Sequence, residues 1–266
     1  MNLYYRKYGN GPPLIILHGL YGSSDNWVTI AKNVSGKYTV YLPDLRNHGR
    51  SPHSPEHTYA AMADDLFEMV EDLGIDKFIL AGHSMGGKVA MSFALNWPEK
   101  LNSLIVIDIS PFGSTDRDNP FYIQHRKILE TLISIDLHIC KSRNDVENLL
   151  SVKIDSERIS SFLMKNLTRT DSGLFAWKLN TSSLLKNLSN ITEGVIKPGD
   201  DFLPVTGFRV IFIKGELSDY ISEADLGKIQ NIFPAAEIVI VSNAGHWINA
   251  ERPDAIEKII LDQLEG

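Results

Sequence analysis

One run, Phe78-Ile-Leu-Ala-Gly-His-Ser-Met-Gly-Gly87, limits the possible folds more than any other stretch of this chain. It reads as a buried strand, a turn, and then a helix from Lys88 to Leu95 that Asn96-Trp97-Pro98 stops. Gly82-His83-Ser84-Met85-Gly86 fits the pattern G-x-S-x-G, in which a serine sits on a sharp turn and its hydroxyl stands clear of the sheet. Holding a non-glycine residue in such a sparsely populated conformation costs about 1–3 kcal/mol. The positions two residues away must therefore lack bulk, and Gly82 and Gly86 supply that. The helix that follows aims its N-terminus at the serine, where partial positive charge and a free amide favour an oxyanion. The bare five-residue pattern also occurs by chance. A strand before it and a helix after it are the context that the chemistry requires.

Upstream, Leu3 to Tyr8 alternates weakly as an edge strand, and Pro13-Leu-Ile-Ile-Leu17 is an apolar run suited to burial on both faces. That run ends in His18-Gly19-Leu20-Tyr21-Gly22, ahead of a short helix near Asn26–Asn33. A strand ending in His-Gly and a loop is where this architecture places a second oxyanion amide, so the expected donors are the backbone amides of Leu20 and Met85. Tyr38–Leu42 is the next strand, followed by the polar loop Pro43–Ser51, whose His48 and Arg46 read first as structural. Thr58 caps a helix with Met62, Leu66, Met69, Val70 and Leu73 on one face, which Gly74 ends. After the elbow helix, Leu104–Ile107 is a buried strand terminating at Asp108. Alternating strands and helices imply a parallel sheet covered on both faces, with ligands beyond the strands' carboxyl ends.

From 112 to 207 strand signals give way to helical ones. Asn119-Pro120 starts a helix as N-cap and first residue, and further helices are expected over Asn144–Val152, Ser156–Leu167 and Leu174–Leu188. So long an insertion must be structured, most simply as a helical cap over the site. Phe112, Trp177 and Phe202 are candidates for its pocket lining, and equally for packing it on the core. Residues 1–111 and 208–266 then form the core and 112–207 the cap subdomain. The sheet resumes at Phe208–Ile213, a helix covers Glu223–Ile232, and Glu237–Val241 is the last strand before Ala244-Gly245-His246-Trp247.

The candidate nucleophile is Ser84 and the candidate base His246, in a loop after a late strand. The acid that would orient His246 is either Asp108, after the strand that follows the elbow, or Asp219, after the penultimate strand. Spacing does not choose between them.

Composition narrows the partners. A net charge of −7 argues against nucleic acid, and the single cysteine, Cys140, in a helix-like run Leu137–Cys140, excludes an intrachain disulfide framework and suits a reducing compartment. No secretory signal is visible at Met1 and no run approaches the ~18 apolar residues of a membrane span, so the expected setting is the cytoplasm. Oligomeric state is not encoded in any feature of the sequence.

His18-Gly19-Leu20-Tyr21-Gly22 with Trp27, Pro43-Asp44-Leu45-Arg46-Asn47-His48-Gly49-Arg50-Ser51, the serine turn, Asp108-Ile109-Ser110-Pro111 and Ala244–Trp247 together resemble the α/β-hydrolase superfamily. Within it they are most similar to the YbfF-type esterases and their mitochondrial abhydrolase relatives. The resemblance covers most of the chain outside 112–207, and the Asp-Leu-Arg-Asn-His-Gly-x-Ser loop is its most specific part. It implies a mostly parallel sheet flanked by helices, with a helical cap inserted after the sixth strand. It also implies hydrolysis of small-molecule acyl esters or thioesters through an acyl-enzyme, with no cofactor and no metal. The acid it implies is Asp108, and Ser218 corresponds to a serine near the histidine, although Asp219 directly after it keeps the other acid site open.

Two other classes compete. The same triad could serve C–C bond hydrolysis or a menaquinone-pathway elimination, whose carboxylated substrates call for cationic side chains in the pocket, with Arg46, Arg126 and Arg169 as candidates. A ligand-binding protein on a hydrolase fold is the non-enzymatic reading.

Overall fold

The computed structural model describes residues 1–196 and 203–264. In chain order it contains β1 (Tyr5–Tyr8), β2 (Pro13–Leu17), α1 (Val28–Val34), β3 (Thr39–Pro43), α2 (Tyr59–Asp72), β4 (Phe78–His83), α3 (Met85–Asn96) and β5 (Leu101–Ile107). A stretch outside the main sheet follows: α4 (Pro120–Ser134), α5 (Arg143–Ser151), α6 (Glu157–Met164), β6 (Leu167–Arg169), β7 (Phe175–Trp177), α7 (Thr181–Lys186) and α8 (Leu188–Thr192). The chain then completes the sheet with β8 (Arg209–Gly215), α9 (Glu223–Ile232) and β9 (Ala236–Val241), and closes with α10 (Ile248–Glu251) and α11 (Pro253–Leu261).

The seven strands lie in the order β1-β3-β2-β4-β5-β8-β9, parallel throughout except for β1, which runs antiparallel to β3 at the edge. Strand periodicity divides the core in two. Leu14, Ile16, Ile79, Ala81, Ile105, Ile107, Ile211 and Ile213 face one side, where they pack with residues of α1 and α11. Ile15, Leu17, Leu80, Leu104, Val106 and Phe212 face the other, against residues of α2 and α3. Burial on both faces is why these strands read as continuous apolar runs instead of alternating ones.

From β2 the chain steps outward to β3 and then returns to lay β4 on β2's other side, in register Leu17↔Gly82. This reversal opens a crevice at the carboxyl ends of β2 and β4. His18-Gly19-Leu20 and Ser84 leave the sheet there.

The structure departs from the sequence reading in three places. The excursion from the sheet begins after the fifth strand counted along this chain, one earlier than expected, because a single strand, β1, precedes β2. Within it, Phe175–Trp177, expected to be helical, pairs antiparallel with Leu167–Arg169. A turn at Thr170–Gly173, closed by the Gly173 amide on the Thr170 carbonyl with Gly173 at φ +82°, reverses the chain and fixes that pairing. Leu137–Cys140 is a turn between α4 and α5, not a helix. The caps were more legible: the Thr58 hydroxyl accepts from the Ala61 amide, and the Asn119 side chain accepts from the Phe121 amide. Phe202 lies outside the described residues.

Candidate active site

Ser84 ends β4 as the N-cap of α3 with φ 53° and ψ −120°, the left-handed region that costs a serine energy. Its surroundings enforce the turn. A β-carbon on Gly82 would fall 2.2 Å from the Gly86 carbonyl oxygen, and one on Gly86 would lie 2.6 Å from that of His18. Strand and helix can approach this closely only if both positions are glycine. The Ser84 amide is held by the Ile107 carbonyl at 3.0 Å, so β5 fixes the elbow from the other side.

His246 comes from the loop after β9 and brings Nε2 to 3.0 Å from Ser84 Oγ. Its Nδ1 is 2.8 Å from Asp108 Oδ2. Asp108 follows β5, is fully buried, and itself takes a positive φ of 51°. Its Oδ1 accepts the Gly215 amide at 2.9 Å, and Oδ2 also accepts a short hydrogen bond from the Ser218 hydroxyl. Burial pushes the Asp108 carboxyl up, but the bonds from His246, Ser218 and Gly215 outweigh it and hold the group below its ordinary range. An ionised Asp108 makes Nδ1 the protonated nitrogen of neutral His246, which leaves the Nε2 lone pair facing the serine. Asp219 lines the adjoining cavity but forms no hydrogen bond to His246; geometry brings Asp108 to the imidazole.

Two aromatic rings bracket that imidazole. Tyr220 stacks on it at 3.5 Å between centroids, and His83 packs at 4.7 Å while its Nε2–H donates to the His246 carbonyl at 2.8 Å. Burial drives His83 down to about 3, so it is a neutral spacer that cannot compete for the proton. The loop bearing His246 is also tied at its base, where the Gly245 amide donates to Glu251 at 2.6 Å.

The other side of the site is formed by the first loop. Met85 opens α3, so its amide has no carbonyl partner within the helix, and Leu20 borders the same cavity. His18 and His48 hold this loop in place. His18 donates from Nδ1 to the Gly19 carbonyl and accepts the Leu45 amide at Nε2 (both 2.9 Å). His48 does the same between the Arg46 carbonyl and the Tyr21 amide, at 2.9 and 3.2 Å. Each is a neutral tautomer with both nitrogens occupied, and burial lowers both pKa values.

Ser84 opens into a cavity of about 310 Å³ whose walls include Leu20, Met85, Phe112, Tyr220, Lys88 and His125. Trp177, a lining candidate from the sequence, instead donates its indole N–H to the Leu132 carbonyl at 3.2 Å. Arg46 is buried in a two-pronged pair with Asp65 (2.6 and 2.9 Å), Arg126 pairs with Glu130 on α4, and Arg169 covers the Phe175 ring. None of the three arginines borders the cavity. Sequence reading passed over Lys88, Tyr220 and His125. Lys88 carried a usable signal: it is the sole charged residue of α3, four positions after the serine, and i and i+4 share a helix face. Among the described residues no group of three His, Cys, Asp or Glu side chains is placed to hold a metal ion.

Residues 12–126 match the family model described as the alpha/beta hydrolase fold. The sn-1-specific diacylglycerol lipase ABHD11 of Danio rerio is 37% identical over 95% of this chain and 78% of its own. The chain belongs to the α/β-hydrolase family. Esterase YbfF of Escherichia coli is 30% identical to this hydrolase over 96% of the chain and 94% of its own length. Among solved structures, a marine microorganism esterase superposes with a TM-score of 0.92 at 44% identity, covering 98% of each chain. With these relatives named as esterase or lipase, the hydrolase is a carboxylic ester hydrolase. Among its described residues, no helix is long and apolar enough to cross a membrane.

Proposed function

We propose that this hydrolase cleaves small-molecule acyl esters, and acyl thioesters by the same route, through a Ser84–His246–Asp108 triad and an acyl-enzyme. The observation that carries the reading is the unbroken hydrogen-bond line from Ser84 Oγ through both His246 nitrogens to Asp108, with steps of 3.0 and 2.8 Å. Ser84 Oγ attacks the carbonyl carbon while His246 Nε2 takes its proton. The oxyanion forms against the backbone amides of Leu20 and Met85. Collapse expels the alcohol or thiol, which leaves with the proton from His246. Water then attacks the acyl-enzyme with His246 again as base, the acid departs, and Ser84 regains its proton. Asp108 stays ionised throughout and stabilises the imidazolium.

Residues 112–207 act in this reading as a cap over the core of 1–111 and 208–266. The lone cysteine suits work in the reducing cytoplasm. The sn-1 diacylglycerol activity named for the fish relative makes mono- and diacylglycerols the first natural substrates to try. A short-chain p-nitrophenyl ester should give a burst of about one nitrophenolate per Ser84 followed by slower turnover, and Ser84→Ala should remove both phases while the protein keeps its melting temperature. Full turnover by Ser84→Ala would rule the triad out.

A further inference from the structure

Lys88 sits one turn beyond Ser84 on α3, its amide bonded to the Ser84 carbonyl at 3.1 Å, and the steps above give its side chain no task. The residue is only 4% exposed, and it borders the cavity into which Ser84 opens. Its ammonium donates to the Glu193 carbonyl at 2.6 Å and stands 5.5 Å from the centre of the Tyr59 ring. Among the described residues it forms no salt bridge, although the charge of Glu193 favours its protonated form. An ammonium has three N–H donors, so two remain for the cavity. Removing a cation from water is costly unless it is paired, and a carbonyl, an aromatic ring and a carboxylate beyond salt-bridge reach offset that only in part. The strain shows in its acidity: burial pulls Lys88 down to about 7, against the opposing pull of Glu193.

The rest of the lining gives the cation a direction. Lys88 is the one lysine or arginine among the described lining residues, while Asp219 and Asp225 contribute carboxylates elsewhere in the wall. An anionic substituent on a substrate would be repelled by the aspartates and drawn to the lysine.

We propose that Lys88 is a specificity subsite that binds a carboxylate carried by the substrate, so that half-esters of dicarboxylic acids or acylated hydroxy acids are preferred over uncharged esters of the same shape. The proposal rests on the serine-hydrolase reading above. Binding such a group makes charge-assisted hydrogen bonds to the remaining N–H donors and favours the lysine's charged form.

The two possible carriers define two arms of one pH-stat experiment. In the first, monoethyl succinate, glutarate and adipate are each compared with an uncharged isostere, such as ethyl 5-methylhexanoate for the glutarate. In the second, butyryloxyacetate is compared with isobutyl butyrate. The carboxylated member of at least one arm should show kcat/KM tenfold or more above its isostere, mainly through KM. Lys88→Met should cut that ratio at least tenfold, and Lys88→Arg should keep part of it. A ratio of one or less in both arms, or a ratio unchanged in Lys88→Met, overturns the subsite. The wild-type ratio decides even if Lys88→Met fails to fold. Ser84-dependent turnover of the uncharged esters without discrimination sinks only the subsite, whereas turnover that survives Ser84→Ala sinks the triad beneath it.

Discussion

Ser84 and Asp108 both hold positive φ angles, 53° and 51°, on consecutive strand ends, and both face the imidazole of His246. Two strained residues aimed at one ring are difficult to explain as packing, because each costs free energy that ordinary turns avoid. The roles of the two nearby aspartates separate by substitution. Asp108→Asn presents the wrong hydrogen-bond partner to Nδ1 and should lower kcat by about 10⁴, whereas Asp219→Asn should cost a few-fold at most. Steady-state kinetics on one neutral ester measure both, and equal losses would contradict the assignment of Asp108. The glycine spacing around Ser84 was legible in the sequence because the constraint is local: two residues on either side of one backbone angle decide it. The choice between Asp108 and Asp219 was not, since both follow strands and only the packing of β5 against β8 settles which carboxylate meets the ring.

At the scale of elements, the loops around the site are held by neutral histidines. His57 and His83 are pushed down to about 3, His125 to about 4, and His18 and His48 are lowered as well, burial being the first cause in each case. In the unfolded chain these rings titrate near 6.5. Between that value and the folded ones, the unfolded state binds protons that the native state refuses. Stability is therefore full above about pH 6.5 and falls as the pH drops toward 4, each histidine adding up to about 1.4 kcal/mol per pH unit. Asp108, also shifted down but from the lower carboxylate value, adds its loss only below about pH 4. Urea midpoints at pH 7.5, 6.5 and 5.5 should fall steeply over the last step; a flat series would mean that the histidines are not buried as neutral groups. Elements whose signals lie within one segment, such as α2 with its Thr58 cap, were readable from the chain. The β6–β7 hairpin was not, because three-residue strands carry too little periodicity to outweigh the helical look of Leu174–Leu188.

Across the whole molecule, the stretch between β5 and β8 is bonded to the core at the loops that form the site. Asn166 donates to the Tyr21 carbonyl at 2.8 Å, next to Leu20, and Tyr21 holds φ 61°. The Tyr59 hydroxyl donates to the Ile191 carbonyl, and Phe162 packs on Trp247 beside His246. Asn166→Ala should cost about 1–3 kcal/mol by stranding a buried carbonyl, and should also slow acylation by loosening the Leu20 amide. Thermal melts and burst rates measured on the same preparation check this; a stability loss with an unchanged burst rate would confine Asn166 to a structural role. Such long-range bonds leave no trace in sequence spacing, which is why Ser84 and His246 could be singled out in the chain while the cavity around them could not.

The most direct measurement is covalent. Treatment of the native protein with a fluorophosphonate, followed by intact mass and peptide mapping, should show one adduct per chain on Ser84, and Asp108→Asn and His246→Ala should label at least about a hundredfold more slowly. An unlabelled Ser84 in a folded protein, or labelling at the same rate without His246, would contradict the claim that this serine is made nucleophilic by the imidazole beside it.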